Sequence, residues 1–75
     1  MTPMYQATYR AKNGAILDHA YGKTSIEAAR QVFVRNPRAD TVQVCGAYQD
    51  EYEGCIRGNG CNIHWINRRD IERDL

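Results

Sequence analysis

The chain has 75 residues, of which 43% are hydrophobic and 25% charged, so it is too short for two domains and too apolar for a disordered segment. Ten Lys and Arg residues against nine Asp and Glu residues give a formal net charge of +1, which argues against a nucleic-acid coat protein and against an acidic DNA mimic. No run approaches the roughly 18–20 apolar residues of a membrane span, and the first ten residues do not resemble a signal peptide.

Two alternating segments near the N-terminus predict a β-hairpin. The first strand covers Tyr5 to Ala11 and the second covers Ala15 to Tyr21. The residues between them, Lys12 to Gly14, suit a three-residue loop in which Gly14 is left-handed. A two-residue turn is the alternative, but it would place Asp18 on the apolar face opposite Tyr9.

The three-residue loop fixes the predicted register of this hairpin. Each predicted pair lies on the apolar face, and the pairs are Ala11 with Ala15, Tyr9 with Leu17, Ala7 with His19, and Tyr5 with Tyr21. We therefore expect His19 to pack beside Ala7 under the helix and Tyr21 to belong to the core.

A capping box starts the only long helix. Thr24 occupies the N-cap and Glu27 stands three residues later. The helix runs from Ser25 to Arg35 and stops at Asn36-Pro37, since the residue before proline disfavours helical geometry. The predicted buried stripe comprises Ile26, Ala29 and Phe33, flanked by Val32.

The C-terminal half predicts three more strands. Thr41 to Tyr48 alternates as a third strand, and an acidic loop follows it. Residues 54–66 form a second hairpin around Asn59-Gly60, which pairs the fourth strand with the fifth and sets Cys55 opposite His64. Residues 67–75 form a short helix, anchored by Ile71 and Leu75.

These elements predict a single α+β domain over residues 1–75, with frayed ends at 1–4 and 67–75. The order is β-β-α-β-β-β, and the five strands form an antiparallel sheet packed on one helix, with the third strand beside the first. A helix of about eleven residues is only about 16 Å long. Five strands at about 4.8 Å spacing are wider than such a helix can cover, so part of the sheet stays open.

The cysteines raise the alternative of a zinc-dependent nucleic-acid-binding module. Cys45, Cys55, Cys61 and His64 approach a Cys3His spacing, and zinc requires four convergent ligands. The predicted register places Cys61 on the core face and the other three on the opposite face. We therefore expect no metal and no cofactor. The odd number of cysteines also favours the reducing cytoplasm over a disulfide-stapled secreted domain.

A Cys–His nucleophile pair is the only catalytic arrangement that the pattern suggests. Cys55 and His64 would be cross-strand neighbours, but no third group orients the histidine and nothing forms an oxyanion hole. The sequence therefore predicts a binding protein and not an enzyme.

The candidate binding residues fall into two sets. The first is the acidic loop, in which an aromatic residue stands among carboxylates, and it comprises Asp50, Glu51, Tyr52 and Glu53. The second set is Arg10 and Arg57, which we expect to project from the open sheet face. Exposed aromatic and arginine side chains are typical of interfaces.

The layout of residues 5–66, a hairpin, a capped helix and three further strands, resembles small phage anti-CRISPR proteins that bind type I surveillance complexes. That group has no shared motif, so the resemblance assigns no residue. It implies an inhibitor of a nucleic-acid-handling complex that acts by direct protein contact in the host cytoplasm. It also implies a monomer or weak dimer, with no membrane and no sequence-specific nucleic acid as direct partner.

Overall fold

A computed structural model describes residues 2–50, 54, 56–58 and 63–75. The bounds of the helices and strands are β1 Thr2–Arg10, β2 Ile16–Gly22, α1 Ser25–Arg35, β3 Thr41–Gln49, β4 Ile56–Gly58, β5 His64–Asn67 and α2 Arg68–Ile71, with a 3₁₀ turn over Glu72–Asp74. The predicted α+β class is confirmed, since five antiparallel strands form one sheet and α1 is the main helix. Residues 2–4, expected to fray, belong to β1.

The sheet has the order β2-β1-β3-β4, and β5 also pairs with β3. The third strand lies antiparallel beside the first, as predicted, with Ala7 opposite Val44 and Tyr5 opposite Gly46. The two longest strands therefore form the centre of the sheet.

The predicted pairing of the second hairpin is wrong. β4 pairs with the end of β3, with Ile56 opposite Gln49, and β5 pairs with the start of β3, with His64 opposite Val44. The two short strands therefore lie in line along one edge of β3, each bonded to β3. The central strand is long enough to satisfy both, because it has nine residues. The predicted Asn59-Gly60 turn lies outside the described residues.

The three-residue loop of the first hairpin is confirmed. The Ala11 amide donates to the Ala15 carbonyl at 2.8 Å, and Gly14 is left-handed with φ +89°. The Asn13 side chain accepts from the Ala15 amide at 3.0 Å and closes the loop.

The predicted register holds next to the loop, where Arg10 lies opposite Ile16, but from Tyr9 onward it is wrong by one residue. A β-bulge intervenes, because Arg10 lies opposite Ile16 while Tyr9 lies opposite Asp18. Leu17 is therefore the extra residue. Beyond the bulge the faces of β2 are exchanged, so that Ala20 pairs with Ala7 under α1, and His19 and Tyr21 point to the other side.

The exchanged register lets the helix approach the sheet closely. Ala20 is 5% exposed, and Gly22 leaves so little room that a Cβ there would lie 2.6 Å from the Ala28 amide nitrogen. Asp18, which an unbulged strand would leave without a partner, reaches the end of α1. Its carboxylate accepts from the Arg35 guanidinium at 2.9 Å and from the Asn36 amide at 2.8 Å.

Helix α1 has the predicted bounds and caps. The Thr24 hydroxyl accepts from the Glu27 amide at 3.1 Å, and the Glu27 carboxylate accepts from the Lys23 amide at 3.0 Å. The buried stripe differs at one position, since Ile26 is 39% exposed and Ala28 replaces it. The fully buried large side chains are Phe33, Val32, Val42 and Val44.

Arg68 ties the C-terminal segment to the end of α1. Its guanidinium donates to the carbonyls of Ala39, Phe33 and Asn36 at 2.7, 2.9 and 2.7 Å, and lies 4.9 Å from the centre of the Phe33 ring. The bond to Phe33 satisfies a carbonyl group that the end of α1 leaves open, and the other two hold the segment that follows the helix. Ile71 is buried as predicted, whereas Leu75 is 38% exposed.

Candidate docking surface

One side of the sheet faces away from α1, and we call it the open face. Residues directly opposite each other on paired strands share a face, and the face alternates along each strand. The strand residues that the register places on the open face are Met4, Gln6, Thr8, Arg10, Ile16, His19, Tyr21, Thr41, Gln43, Cys45, Ala47, Gln49, Ile56, Gly58, Trp65 and Asn67.

The open face is nearly free of formal charge. None of these described strand positions is an aspartate, a glutamate or a lysine, and Arg10 is the one arginine among them. Charged residues make up 25% of the whole chain, so the composition of this face is not that of the rest of the surface.

Aromatic side chains stand at both margins of the open face. Trp65 on β5 is 62% exposed. On β2, the rings of His19 and Tyr21 meet edge-to-face with their centres 5.6 Å apart. Trp65 and His19 belong to one row that crosses Gln43 and Thr8, so three strand spacings of about 4.8 Å separate their Cα atoms by about 14 Å.

The centre of the open face is polar and less exposed than its margins. Thr8 is only 9% exposed, and Gln6 and Gln43 are half-buried. A row of amide and hydroxyl groups therefore lies between the more exposed aromatic side chains at the margins. Such a surface offers hydrogen-bond donors and acceptors without the desolvation cost of full charges.

The free edge of β2 is closed by side chains. The Gln31 amide donates to the Tyr21 carbonyl at 2.6 Å, and Arg35 donates to the His19 carbonyl at 2.7 Å. The Asp18 carboxylate accepts from the His19 amide at 2.8 Å. Because these backbone groups are already bonded, this edge is a poor template for an added strand.

The hydrogen bonds around Asp18 also change its acidity. Donation from the Arg35 side chain, followed by that from Asn36 and the His19 amide, lowers the pKa of the Asp18 carboxyl, and partial burial opposes this effect. The carboxylate therefore stays ionised to a lower pH than usual and holds β2 to α1.

The two predicted arginines do not share a face. Arg10 lies on the open face as expected and donates to the Gly14 carbonyl at 2.9 Å. Arg57 lies opposite Tyr48, and Tyr48 points to the same side of β3 as the core residues Val42 and Val44. Arg57 therefore belongs to the helix side of the sheet. The prediction for Arg57 is wrong because β4 pairs with β3 and not with β5.

The acidic loop follows β3. Asp50 is half-buried, and its carbonyl accepts from the Gly54 amide at 2.9 Å. This bond joins the two ends of the loop just past the open-face residues Gln49 and Ile56. Glu51, Tyr52 and Glu53 lie outside the described residues.

The two described members of the Cys/His set do not converge. Cys45 lies on the open face with its thiol 4.0 Å from the Gln6 carbonyl oxygen, whereas His64 is opposite Val44 on the helix side. The prediction that they share a face is wrong. Cys55 and Cys61 lie outside the described residues, and the described part of the chain contains no group of three potential metal ligands. The expectation of no bound zinc stays a prediction.

Sequence reasoning missed Trp65, Tyr21 and His19 as surface residues. The predicted first hairpin placed His19 and Tyr21 on the core face, and the predicted second hairpin set Trp65 opposite Gly54, on the same face as Cys61. The sequence did contain an indication for Trp65. Adjacent strand residues face opposite sides, and of Trp65 and Ile66 the isoleucine is the better core residue, which the structure places at 7% exposure. No comparable signal marks the bulge that turns out His19 and Tyr21.

No family model, curated protein or solved structure matches this chain. Among the described residues, no helix has the length and hydrophobicity needed to cross a membrane.

Proposed function

We propose that this chain is a non-catalytic binding protein that docks on a protein surface through its open face. The target that we propose is a nucleic-acid-handling complex, specifically a type I CRISPR surveillance complex, which a phage-encoded inhibitor of this size would block stoichiometrically. The observation that carries the proposal is the exposed Trp65 at the margin of a sheet face whose described strand positions carry no carboxylate.

The composition of the open face supports a protein partner over a nucleic acid. The cores of protein interfaces are enriched in aromatic residues, Met and Arg and depleted in Lys, Glu and Asp. The open face has Trp65, Tyr21, Met4 and Arg10 and none of the depleted charged types at its described strand positions. A nucleic-acid platform would need several Lys or Arg residues to neutralise phosphates.

The size of the open face fits a small interface. Four strand positions at about 4.8 Å and the nine residues of β3 at about 3.4 Å each give a projected area of about 600 Å². A standard interface buries about 800 Å² on each partner. Asp50, at the start of the acidic loop, adjoins one end of this face.

In this proposal the acidic loop steers association. Gln43, opposite Trp65, and Gln49, next to the loop, are separated along β3 by about 20 Å at about 3.4 Å per residue. One partner can therefore contact both. A basic nucleic-acid channel attracts the loop carboxylates, which raises the association rate at low ionic strength.

The test measures binding of the purified chain to a panel of purified type I surveillance complexes, and the inhibition of their DNA binding. Asp50→Lys with Glu51→Lys is expected to slow association markedly at low salt and less at high salt. The matched control is Arg30→Glu with Arg38→Glu, which reverses two exposed charges on α1 and just after it, away from the open face, and is expected to change association little.

Two results would count against the proposal. If no complex in the panel binds, the proposed target is wrong. If the arginine reversals slow association and the loop reversals do not, the steering role belongs to the arginines.

A further inference from the structure

The outer edge of β5 presents backbone groups that this sheet does not use. The Arg68 amide donates to the Asp40 carbonyl at 2.7 Å, directly opposite, so these two residues form a hydrogen-bonded pair that continues the β3–β5 ladder. Hydrogen-bonded residues and outward-pointing residues alternate along an antiparallel ladder. The backbone N–H and C=O groups of Trp65 and Asn67 therefore point away from β3.

The outward groups of β5 differ from those of β2, at the opposite edge of the sheet. On β2, side chains of α1 bond the outward carbonyls of His19 and Tyr21. On β5, no described residue bonds the N–H or C=O group of Trp65, or the N–H group of Asn67. The Asn67 carbonyl is used, because Asn67 is the N-cap of α2 and its carbonyl accepts the first helical bond. Three backbone groups in a row are therefore open to another strand.

The side chains along this edge do not prevent strand addition. Proteins usually protect an exposed edge with charged residues, above all Lys, or with Pro. Residues 63–67 contain no Asp, Glu, Lys, Arg or Pro. Ile63 is 55% exposed and Trp65 is 62% exposed. Two copies of this segment can therefore approach each other without repulsion between formal charges.

We propose that β5 pairs antiparallel with β5 of a second copy across a two-fold axis, so that the chain forms a weak homodimer. The open backbone groups select the register. With Trp65 opposite Trp65 of the second copy, each Trp65 amide donates to the other Trp65 carbonyl, and each Asn67 amide faces the Ile63 carbonyl of the other copy. A register with Trp65 opposite Asn67 would leave the Trp65 amides without an acceptor, because α2 already uses the Asn67 carbonyl.

This assembly closes at two copies. The interface is isologous, and the β2 edge of each copy is blocked by its own side chains, so no third strand is added. β5 has only four residues, which limits the strength of the pairing. The dimer joins the two open faces, and the Trp65 side chains, at the margin of each single face, lie side by side at the centre of the doubled face. Dimerisation needs no other partner, so it does not depend on the proposed target.

The main experiment is sedimentation equilibrium of the purified full chain. The mass is expected to rise from 8.6 kDa toward twice that value between about 1 μM and about 1 mM, the range in which a weak complex forms. Trp65→Lys sets two like charges directly opposite each other and is expected to abolish the dimer. Val34→Lys adds the same charge at an exposed position of α1 and is the matched control, with unchanged dimerisation.

A second pair of variants isolates the backbone contribution. Trp65→Ala and Trp65→Pro both remove the indole ring, but only the proline also removes the outward N–H group. Because each copy then loses one hydrogen bond, the dimer Kd of Trp65→Pro is expected to exceed that of Trp65→Ala by about tenfold or more.

Cross-linking tests the register. Residues of a hydrogen-bonded antiparallel pair have Cα atoms about 5.5 Å apart, a separation that suits a disulfide. In a chain whose three natural cysteines are replaced by Ser, Trp65→Cys is expected to form a disulfide-linked dimer under copper-catalysed air oxidation. Val34→Cys in the same background is the control and is expected to stay largely monomeric.

The outcomes separate the dimer from the proposed function. A chain that keeps a mass of 8.6 kDa up to about 1 mM overturns the dimer and leaves docking on the open face standing. A dimer that survives Trp65→Lys uses another surface and overturns the β5 pairing. If Trp65→Pro does not fold, the cross-link decides, and equal cross-linking of Trp65→Cys and Val34→Cys overturns the pairing. A dimer that binds no surveillance complex contradicts only the proposed target.

Discussion

A glycine lies on each side of this sheet, and the two glycines have different surroundings. On the helix side, a Cβ at Gly22 would lie 2.6 Å from the Ala28 nitrogen, so glycine is needed to bring α1 against β2. On the open face, a Cβ at Gly58 would meet its described neighbours at 3.5 Å or more. At Gly22 the helix side has no room for a methyl group, whereas at Gly58 the described atoms leave room for one. In our proposal, stability and binding therefore depend on different sides of one sheet.

The sharpest stability contrast is between the large aromatic residues of the two sides. Phe33 is 1% exposed, and Phe33→Ala is expected to cost about 3–5 kcal/mol of unfolding free energy, enough to prevent folding of so small a domain. Trp65 is 62% exposed, and Trp65→Ala is expected to cost less than about 1 kcal/mol. Urea melts measure both values. A loss below about 1 kcal/mol for Phe33→Ala would mean that α1 packs by another stripe.

The next contrast is between the two glycines. Gly22→Ala forces the α1 backbone away from β2 and is expected to destabilise by about 1–3 kcal/mol, the range for overpacked cores. Gly58→Ala meets no close atom among the described residues and is expected to change stability by less than about 0.5 kcal/mol. Thermal melts of the two variants compare them directly. Equal losses would show that the open face is packed as tightly as the helix side.

The smallest expected effect concerns the Asp18 carboxylate. Its pKa is lowered in the folded chain, mainly by the Arg35 side chain, so its contribution is present above the unfolded pKa and is lost as pH falls through the folded pKa. Asp18→Asn is expected to cost less than about 1 kcal/mol at neutral pH, since Arg35 is half-exposed. The difference from wild type should shrink below about pH 4. A difference that stays constant with pH would exclude this ion pair as its source.

The sequence predicts local structure in this chain better than pairing. The Thr24 cap, the bounds of α1 and the Gly14 loop each depend on a few adjacent residues, and all three are confirmed. The predicted register of the first hairpin failed because Leu17 forms a bulge. Beyond that bulge, Asp18 contacts Arg35 and Asn36, which lie 17 and 18 positions later in the chain. No local pattern reports such distant partners.

The prediction of the second hairpin failed for a related reason. Period-two alternation identifies which residues share a face within a strand, but not which strand is the partner. β4 and β5 have only three and four residues, and both pair with the nine-residue β3. Because both strands pair with β3, Arg57 and His64 lie on the helix side and Trp65 lies on the open face, the reverse of the predicted faces. The faces of the candidate binding residues therefore depended on which strands pair, and no local sequence pattern indicates that pairing.

The most direct test of the docking face compares two exposed side chains on opposite sides of the molecule. Trp65 on the open face is 62% exposed and Val34 on the outer surface of α1 is 61% exposed, so neither truncation removes core packing. The measurement is the affinity of Trp65→Ala and Val34→Ala for the proposed target, namely any type I surveillance complex of the panel to which the wild-type chain proves to bind. The expected result is a loss of about 30-fold or more for Trp65→Ala, typical of a dominant contact, and no change for Val34→Ala. Wild-type affinity for Trp65→Ala together with a loss for Val34→Ala would place the interface on the helix and contradict the account.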